Sequence, residues 1–228
     1  MRHRHLRETN PFLLQVQQLE DHLFAGEFPL DSTKRIQSER QYWHFRPSHH
    51  VKSGLITLED VTLLKEPGKR LLSIGATPAM LERTLVALGI PADHILVVDK
   101  DPAIAKCAGF IPSMVFDMND HWPEMGTFDR IIFPESLCIA VGDSIKESES
   151  VRSETSGAHP TDESASQLLA QIMRQALERL RPGGIIRANG PMSHPKVIRM
   201  MSENLKKEGW EIALENWRFF LSMQLQSM

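Results

Sequence analysis

From Arg70 onward, blocks of apolar residues alternate with stretches whose apolar positions recur at helical spacing. RLLSIG, HILVVD, SMVFD and FDRIIF read as strands, and the stretches running to about Leu88 and on from Pro102 read as helices between them. Such alternation predicts an α/β doubly wound fold, a parallel sheet with helices on both faces. QLLAQIMRQALERL is a strongly amphipathic helix, closed by Arg181-Pro-Gly-Gly, which leads into the strand GIIRANG. A helix near Lys196 to Glu208 then precedes WEIALENWRFFLSMQLQ, two β-rich runs joined at Glu215-Asn216. These predict an antiparallel hairpin at the sheet edge.

Residues 1–68 differ in texture and are expected to form a helical N-terminal extension to a main domain over 69–228. FLLQVQQLEDHLF and SGLITLEDVTLL carry apolar residues at helical spacing, the second with a start at Thr57-Leu-Glu-Asp. Between them lies RQYWHFRPSHH. Residues 142–166 are rich in Ser, Glu and Thr and poor in large apolar side chains, so they read as a flexible loop able to cover a pocket beside the fourth strand.

At 228 residues the chain can bury one full core and at most a small second one. A net charge of -3 argues against a protein that holds duplex nucleic acid by neutralising phosphates, and the basic MRHRHLR tip is too short to change that. Cys107 and Cys138 have no paired spacing that would suggest zinc or a disulfide framework. No apolar run reaches the roughly 18 residues that span a bilayer, and residues 2–10 are polar, unlike a signal peptide. A reduced cytoplasmic protein with no membrane partner is the expectation.

The chemistry gathers at one turn. RLLSIGATPAMLERTLVAL reads as a strand, a tight turn with the single glycine Gly75, and a helix whose free N–H groups suit an anionic or polar ligand group. Thr77 followed by Pro78 reads as a cap and a first-turn proline. One glycine is too few for a pyrophosphate cradle, whereas a smaller contact such as an amino acid carboxylate needs less room. Asp99, 24 residues after Gly75, ends the second strand near the spacing at which such an acid meets ribose hydroxyls. Taken alone it is as well read as an ordinary strand-end acid. The third strand ends in Phe116-Asp117, where a carboxylate could accept from an adenine amino group while Phe116 or Met118 packs on the ring. Asp-Met-Asn-Asp is also good turn chemistry, and alone that plainer reading prevails.

In order along the chain these segments resemble the class I S-adenosylmethionine-dependent methyltransferase superfamily, from about residue 68 to the C-terminus. LLSIGATPA stands where that family has its glycine motif, VVDKD its ribose acid, VFDMND its adenine motif, FDRIIFPESL its fourth strand, and LERLRPGGIIRANG its last helix, turn and fifth strand. The family usually carries Gly-x-Gly-x-Gly, and Ser73, Gly75 and Thr77 are read at those places, so the motif is degenerate. The resemblance implies a seven-stranded sheet, S-adenosylmethionine as cofactor, and a cofactor set of Ser73, Gly75, Ala76, Thr77, Asp99, Lys100, Phe116, Asp117, Met118 and Pro134. The Gly-x-x-Pro turn is also similar to that of nicotianamine synthases, which transfer the aminocarboxypropyl arm of the same cofactor.

In an open parallel sheet ligands bind at the carboxyl ends of the strands, which gathers Gly75, Asp99, Asp117, residues 134–136 and residues 189–194 at one rim. Methyl transfer from a sulfonium is an in-line displacement, so the protein mainly positions two reactants and adds a base if the acceptor carries a proton. Glu135 and His194 are the two candidates for that base, each also readable as a plain polar rim residue. In the extension, Tyr42, Trp43, His44, Arg46 and His50 could stack on and clamp a planar or anionic acceptor, although a capping cluster with Trp43 in the core is the plainer reading. His44, His49 and His50 have no nearby carboxylate or Cys to complete a metal set, so no metal is expected. Trp210, Trp217, Phe219 and Phe220 read as core or edge residues, and as a homodimer contact if exposed. The expected activity is methyl transfer from S-adenosylmethionine to a small-molecule acceptor. The alternatives are aminocarboxypropyl transfer and a non-catalytic protein that keeps the fold.

Overall fold

The computed structural model describes residues 10–24, 46–134, 136–137, 162–189, 195–210, 212–217 and 220–225. Three helices come first: α1 (Pro11–Leu23), α2 (Pro47–Lys52) and α3 (Leu58–Leu64). Asn10 caps α1, its Oδ1 accepting from the N–H of Phe12 at 3.0 Å. The start expected at Thr57 is a reciprocal capping box: Thr57 Oγ1 accepts from the Asp60 N–H, and the Asp60 carboxylate accepts from the Thr57 N–H.

The alternation that follows is β1 (Leu71–Ile74), α4 (Met80–Ala87), β2 (Ile95–Asp99), α5 (Ile104–Cys107), β3 (Ser113–Val115), β4 (Phe128–Pro134), α6 (Asp162–Glu178), β5 (Leu180–Asn189) and α7 (Pro195–Lys207). Two strands end the chain, β6 (Ile212–Trp217) and β7 (Phe220–Leu225). The sheet order is β3-β2-β1-β4-β5-β7-β6. The first five strands pair in parallel, as the alternation predicts, while β7 runs antiparallel to β5 and to β6. The chain works outward from β1 to β3 and then returns to place β4 on the other side of β1, so the β1–β4 boundary is a topological switch point.

The parallel register sorts side chains onto two faces. One face carries Leu72, Ile74, Val98, Ile131, Phe133, Ile186 and Ala188 in a buried apolar cluster with Leu169, Ile172 and Met173 of α6 and Val197, Ile198 and Met201 of α7. Trp210 packs against that cluster. The other face carries Leu71, Ile95, Val97 and Ile132 against Phe12 and Val16 of α1, Val61 and Leu64 of α3, and Leu81 and Leu85 of α4. The N-terminal helices thus cover the sheet itself.

Four local expectations need correction. Arg181-Pro-Gly-Gly does not stand between helix and strand: it lies inside β5, where the register jumps from Phe128↔Leu180 to Arg130↔Ile185 and the intervening residues bulge. Thr77 is not the cap of the following helix, because α4 begins at Met80 with Ala79 as N-cap. The flexible segment expected over 142–166 is too long at its end, since α6 starts at Asp162 and Ala165 and Ser166 are buried. The joint of the final two strands is not Glu215-Asn216, which pair with Ser222 and Leu221 inside the ladder.

Candidate active site at the switch point

The turn after β1 is held from three sides. Gly75, at φ +74°, donates its N–H to the Val98 carbonyl at 2.7 Å. A Cβ on Gly75 would lie 2.1 Å from Ser136 Cβ, so the glycine is required by the segment after β4 as well as by its own backbone angle. Ser136 seals that contact by donating its hydroxyl to the Ile74 carbonyl at 2.6 Å. The left-handed residue that ends the turn is Ala79, at φ +59°, and the Thr77–Pro78 peptide bond is cis.

Asp99 joins the loops of three strands. One carboxylate oxygen accepts from the Thr77 N–H at 3.0 Å, the other from the Asp101 N–H at 2.9 Å, and its carbonyl accepts from the Phe116 N–H at 3.1 Å. Each carboxylate oxygen keeps an acceptor position beyond these. Phe116 and Met118 pack half-buried against the core, with Phe116 tilted over Trp122 at 6.0 Å between centroids. Asp117 makes the turn its sequence suggested, accepting from the Asn119 N–H at 3.0 Å.

Two buried side-chain atoms among the described residues have no hydrogen-bond partner, Thr77 Oγ1 and Asn119 Oδ1. Both lie in rim loops, one after β1 and one after β3. A buried polar atom left unpaired costs about 1–3 kcal/mol; Asn119 Oδ1 is an acceptor in want of a donor, the Thr77 hydroxyl can donate or accept, and hydroxyl or amino groups of a nucleoside would supply both partners. On this observation the residues present fit a nucleoside cofactor.

Two expected cofactor residues do not face the open rim. Ser73 lies inside β1, fully buried, and donates its hydroxyl to Glu82 Oε1 at 2.5 Å; the strand alternation turns it away from the turn's outer side. Ala76 is buried at 6% exposure in the apolar cluster on the face covered by α1, α3 and α4. Lys100 is exposed beside Asp99, and Pro134 ends β4 opposite Asn189.

The extension reaches the same rim on its other side. Asn189, at the end of β5 and fully buried, donates from Nδ2 to Ser53 Oγ at 3.1 Å and lies 2.9 Å from His50 Nδ1. An amide hydrogen aimed at Nδ1 makes that nitrogen the acceptor and puts the proton of neutral His50 on Nε2. The ring of His49 meets that of His50 edge-on at 5.8 Å. Arg46, expected to clamp an anionic acceptor, instead pairs at 3.2 Å with the buried carboxylate of Glu20, which also accepts from the Ser48 N–H. Tyr42, Trp43 and His44, like Glu135 and His194, lie outside the described residues.

Beneath the rim, on the face covered by the extension, Asp60 of α3 takes both Arg130 of β4, at 2.5 Å, and Arg187 of β5. Burial alone would raise the Asp60 carboxyl, but the guanidiniums of Arg187 and Arg130 and the Thr57 bonds outweigh it and hold the pKa below its ordinary value. Glu82 is the reverse case. Its burial outweighs the bond from Ser73, and with the Asp99 charge nearby the carboxyl is pushed up to about 7.

Asn119, Glu82 and Ala79 escaped the sequence reading, and Ser136 enters it only within the rim segment 134–136. Only Glu82 left a trace, because a lone serine in the apolar strand LLSI requires a buried polar partner.

No protein-family model matches the chain, and no curated protein does. Solved structures do. The magnesium protoporphyrin IX methyltransferase of Synechocystis PCC 6803, solved with bound S-adenosylmethionine, aligns at a TM-score of 0.50 and 14% identity over 96% of this chain and 100% of its own. An amino pentose methyltransferase from Micromonospora echinaspora aligns at 0.49 and 14% identity over 74% and 88%, and an O-methyltransferase of tomaymycin synthesis from Streptomyces achromogenes at 0.47 and 14% over 92% and 96%. The fold is that of the class I S-adenosylmethionine-dependent methyltransferases. Among the described residues no helix is long and apolar enough to cross a membrane.

Proposed function

We propose that this chain binds S-adenosylmethionine at the β1–β4 switch point and transfers its methyl group to a small-molecule acceptor. The observation that carries this reading is the position of Asp99, whose carboxylate ties the turn after β1 to the end of β2 and whose carbonyl accepts from Phe116 after β3, with the unpartnered Thr77 Oγ1 and Asn119 Oδ1 in those same two loops. Thr77 and Asp99 would receive the sugar and the polar end of the cofactor, and Phe116, Met118 and Asn119 would receive the base. When bound, the cofactor supplies a methyl group on a sulfonium, a carbon open to in-line displacement.

The chain's own residues then have to orient and dehydrate. Ser136 and Pro134 bound the site on the β4 side, and His50 with Asn189 bounds it on the β5 side. The acceptor belongs between them. With Nδ1 occupied by Asn189, the His50 ring is fixed in orientation. Glu135 and His194 are read as further candidates to take a proton from the acceptor. We read the complete sheet, closing antiparallel pair included, as that of the methyltransferase type, and the location as cytoplasmic.

The test is a melting series with S-adenosylmethionine and S-adenosylhomocysteine, followed by mass analysis of incubations with small-molecule hydroxyls, amines and carboxylates. A ligand bound only by the folded state raises the melting temperature with its concentration, and a product heavier by one methyl group is expected. A product heavier by the aminocarboxypropyl arm would replace the transfer named here, and an unchanged melting temperature would refute cofactor binding.

A further inference from the structure

Two glutamines of α6 grip the loop that follows β3. Gln175, buried, uses both ends of its carboxamide: Oε1 accepts from the Trp122 N–H at 2.7 Å and Nε2 donates to the Asp120 carbonyl at 2.9 Å. One turn earlier Gln171 donates from Nε2 to the Asn119 carbonyl at 3.1 Å, and one turn later Arg179 donates to the carbonyls of Trp122 and Pro123. Residues four apart stand on one side of a helix, so the three form a single row along the loop. Within the loop, Asp117 Oδ1 accepts from the Asn119 N–H and Trp122 Nε1 donates to the Met118 carbonyl. The backbone is thus held at Asn119 and on both sides of it, and Asn119 Oδ1 is a buried acceptor that these bonds leave unpartnered. The Phe116 N–H ties the start of the loop to the Asp99 carbonyl at the rim, while Leu169, Ile172 and Met173 fix α6 in the core.

Resting on the cofactor reading above, we propose that Gln171 and Gln175 are positioning residues for base recognition: they hold Asn119 with Oδ1 presented as an acceptor, so that the site takes a purine with an exocyclic amino group and rejects one with an oxo group in its place. A carbonyl oxygen set against a carbonyl oxygen leaves both without a donor, and a site built to hydrogen-bond a ligand group discriminates against an analogue that lacks it. Neither glutamine meets the base; each acts through Asn119. Gln175 suits this task because a carboxamide donates from one end and accepts at the other, so its two bonds set the spacing between Asp120 and Trp122. Asp117, the other acid of the loop, has one carboxylate oxygen committed to the Asn119 N–H and serves the same positioning. A recognition group carried on a loop gains precision when a packed helix supports it.

The experiment is calorimetry of the full chain with S-adenosylhomocysteine and S-inosylhomocysteine, which differ in one exocyclic group of the purine, amino against oxo. It compares the native chain with Gln175→Met, Gln171→Ala, Asn119→Ala and Asp117→Asn, each confirmed folded by melting. The native chain should bind the adenine compound at least about tenfold more tightly than the hypoxanthine compound. Gln175→Met and Asn119→Ala should bring that ratio close to unity. Gln171→Ala, which removes an exposed bond, should lower the ratio about threefold and keeps the test open if Gln175→Met does not fold. A merely structural role would lower the melting temperature of the glutamine variants and leave the ratio at its native value, and that result overturns the inference. So does a native chain with no preference between the two compounds; cofactor binding stands in both cases. A ratio that survives Asn119→Ala and falls in Asp117→Asn gives the amino group to Asp117 and overturns the inference as well. No binding of either compound overturns both the inference and the cofactor reading.

Discussion

The two faces of the sheet are built on different principles. On the face covered by α6 and α7, β1, β4 and β5 offer only apolar side chains, from Leu72 and Ile74 through Ile131 and Phe133 to Ile186 and Ala188. On the face covered by the N-terminal helices, the same strands carry polar groups at successive levels: Arg130 with Asp60, then Arg187 with Asp60 beside Ser73 with Glu82, then Asn189 with His50. Apolar burial stabilises without direction, and a polar network adds geometric specification at a desolvation cost. The polar levels rise toward the carboxyl rim where Gly75 and Asp99 lie. The extension is therefore part of the site's construction.

The contrast breaks most visibly at Asp60. Asp60→Ala leaves two guanidiniums largely buried without their carboxylate and should cost about 3–5 kcal/mol in urea unfolding at pH 7. Because the folded pKa lies below the ordinary value of 3.8, that contribution is present above about pH 4 and is lost as the pH falls through the folded value. The gap between native chain and variant should close in acid. Glu82 has the opposite sign. Its pKa rises from 4.5 to about 7 on folding, so the folded state holds a proton that the unfolded state has released, and stability falls as the pH rises through that window. Glu82→Gln should then unfold like the native chain near pH 4 and be more stable by about 3 kcal/mol at pH 8.

Two variants sharpen the comparison at smaller scale. Gly75→Ala adds a Cβ 2.1 Å from that of Ser136 at a left-handed φ, and overpacking with backbone strain should cost about 1–3 kcal/mol, with loss of any cofactor-induced rise in melting temperature. On the apolar face, Ile186→Val should cost about 1 kcal/mol by the same urea titration, equally at pH 5 and pH 8. A pH-dependent effect there would erase the distinction between the faces.

The parallel sheet was legible because buried strands write themselves as mostly apolar runs between helical patterns, as LLSI, ILVVD and FDRIIF do, with Ser73, Asp129 and Arg130 as internal polar interruptions. Asp99 was legible for a related reason: an acid closing such a run has to stand at the rim. What failed was punctuation. Pro182-Gly183-Gly184 bulges within β5, and a bulge in a strand uses the same residues as a turn before one. Asp162 to Ser166 was read as loop because short polar residues suit both loops and the exposed start of an amphipathic helix. The contacts that shape the site were hidden by distance along the chain: Ser136 meets Ile74 across 62 residues and Asn189 meets His50 across 139. Ser, Asn and Glu are common surface residues, and only tertiary pairing marks these particular ones.

The most direct test of the central claim, that the turn with a single glycine is a working cofactor site, is calorimetric titration of S-adenosylmethionine into the native chain and into Asp99→Ala, with both confirmed folded by melting. Saturable one-to-one binding by the native chain that vanishes in the variant is the predicted result. Equal binding by both, or no heat from either, would contradict it.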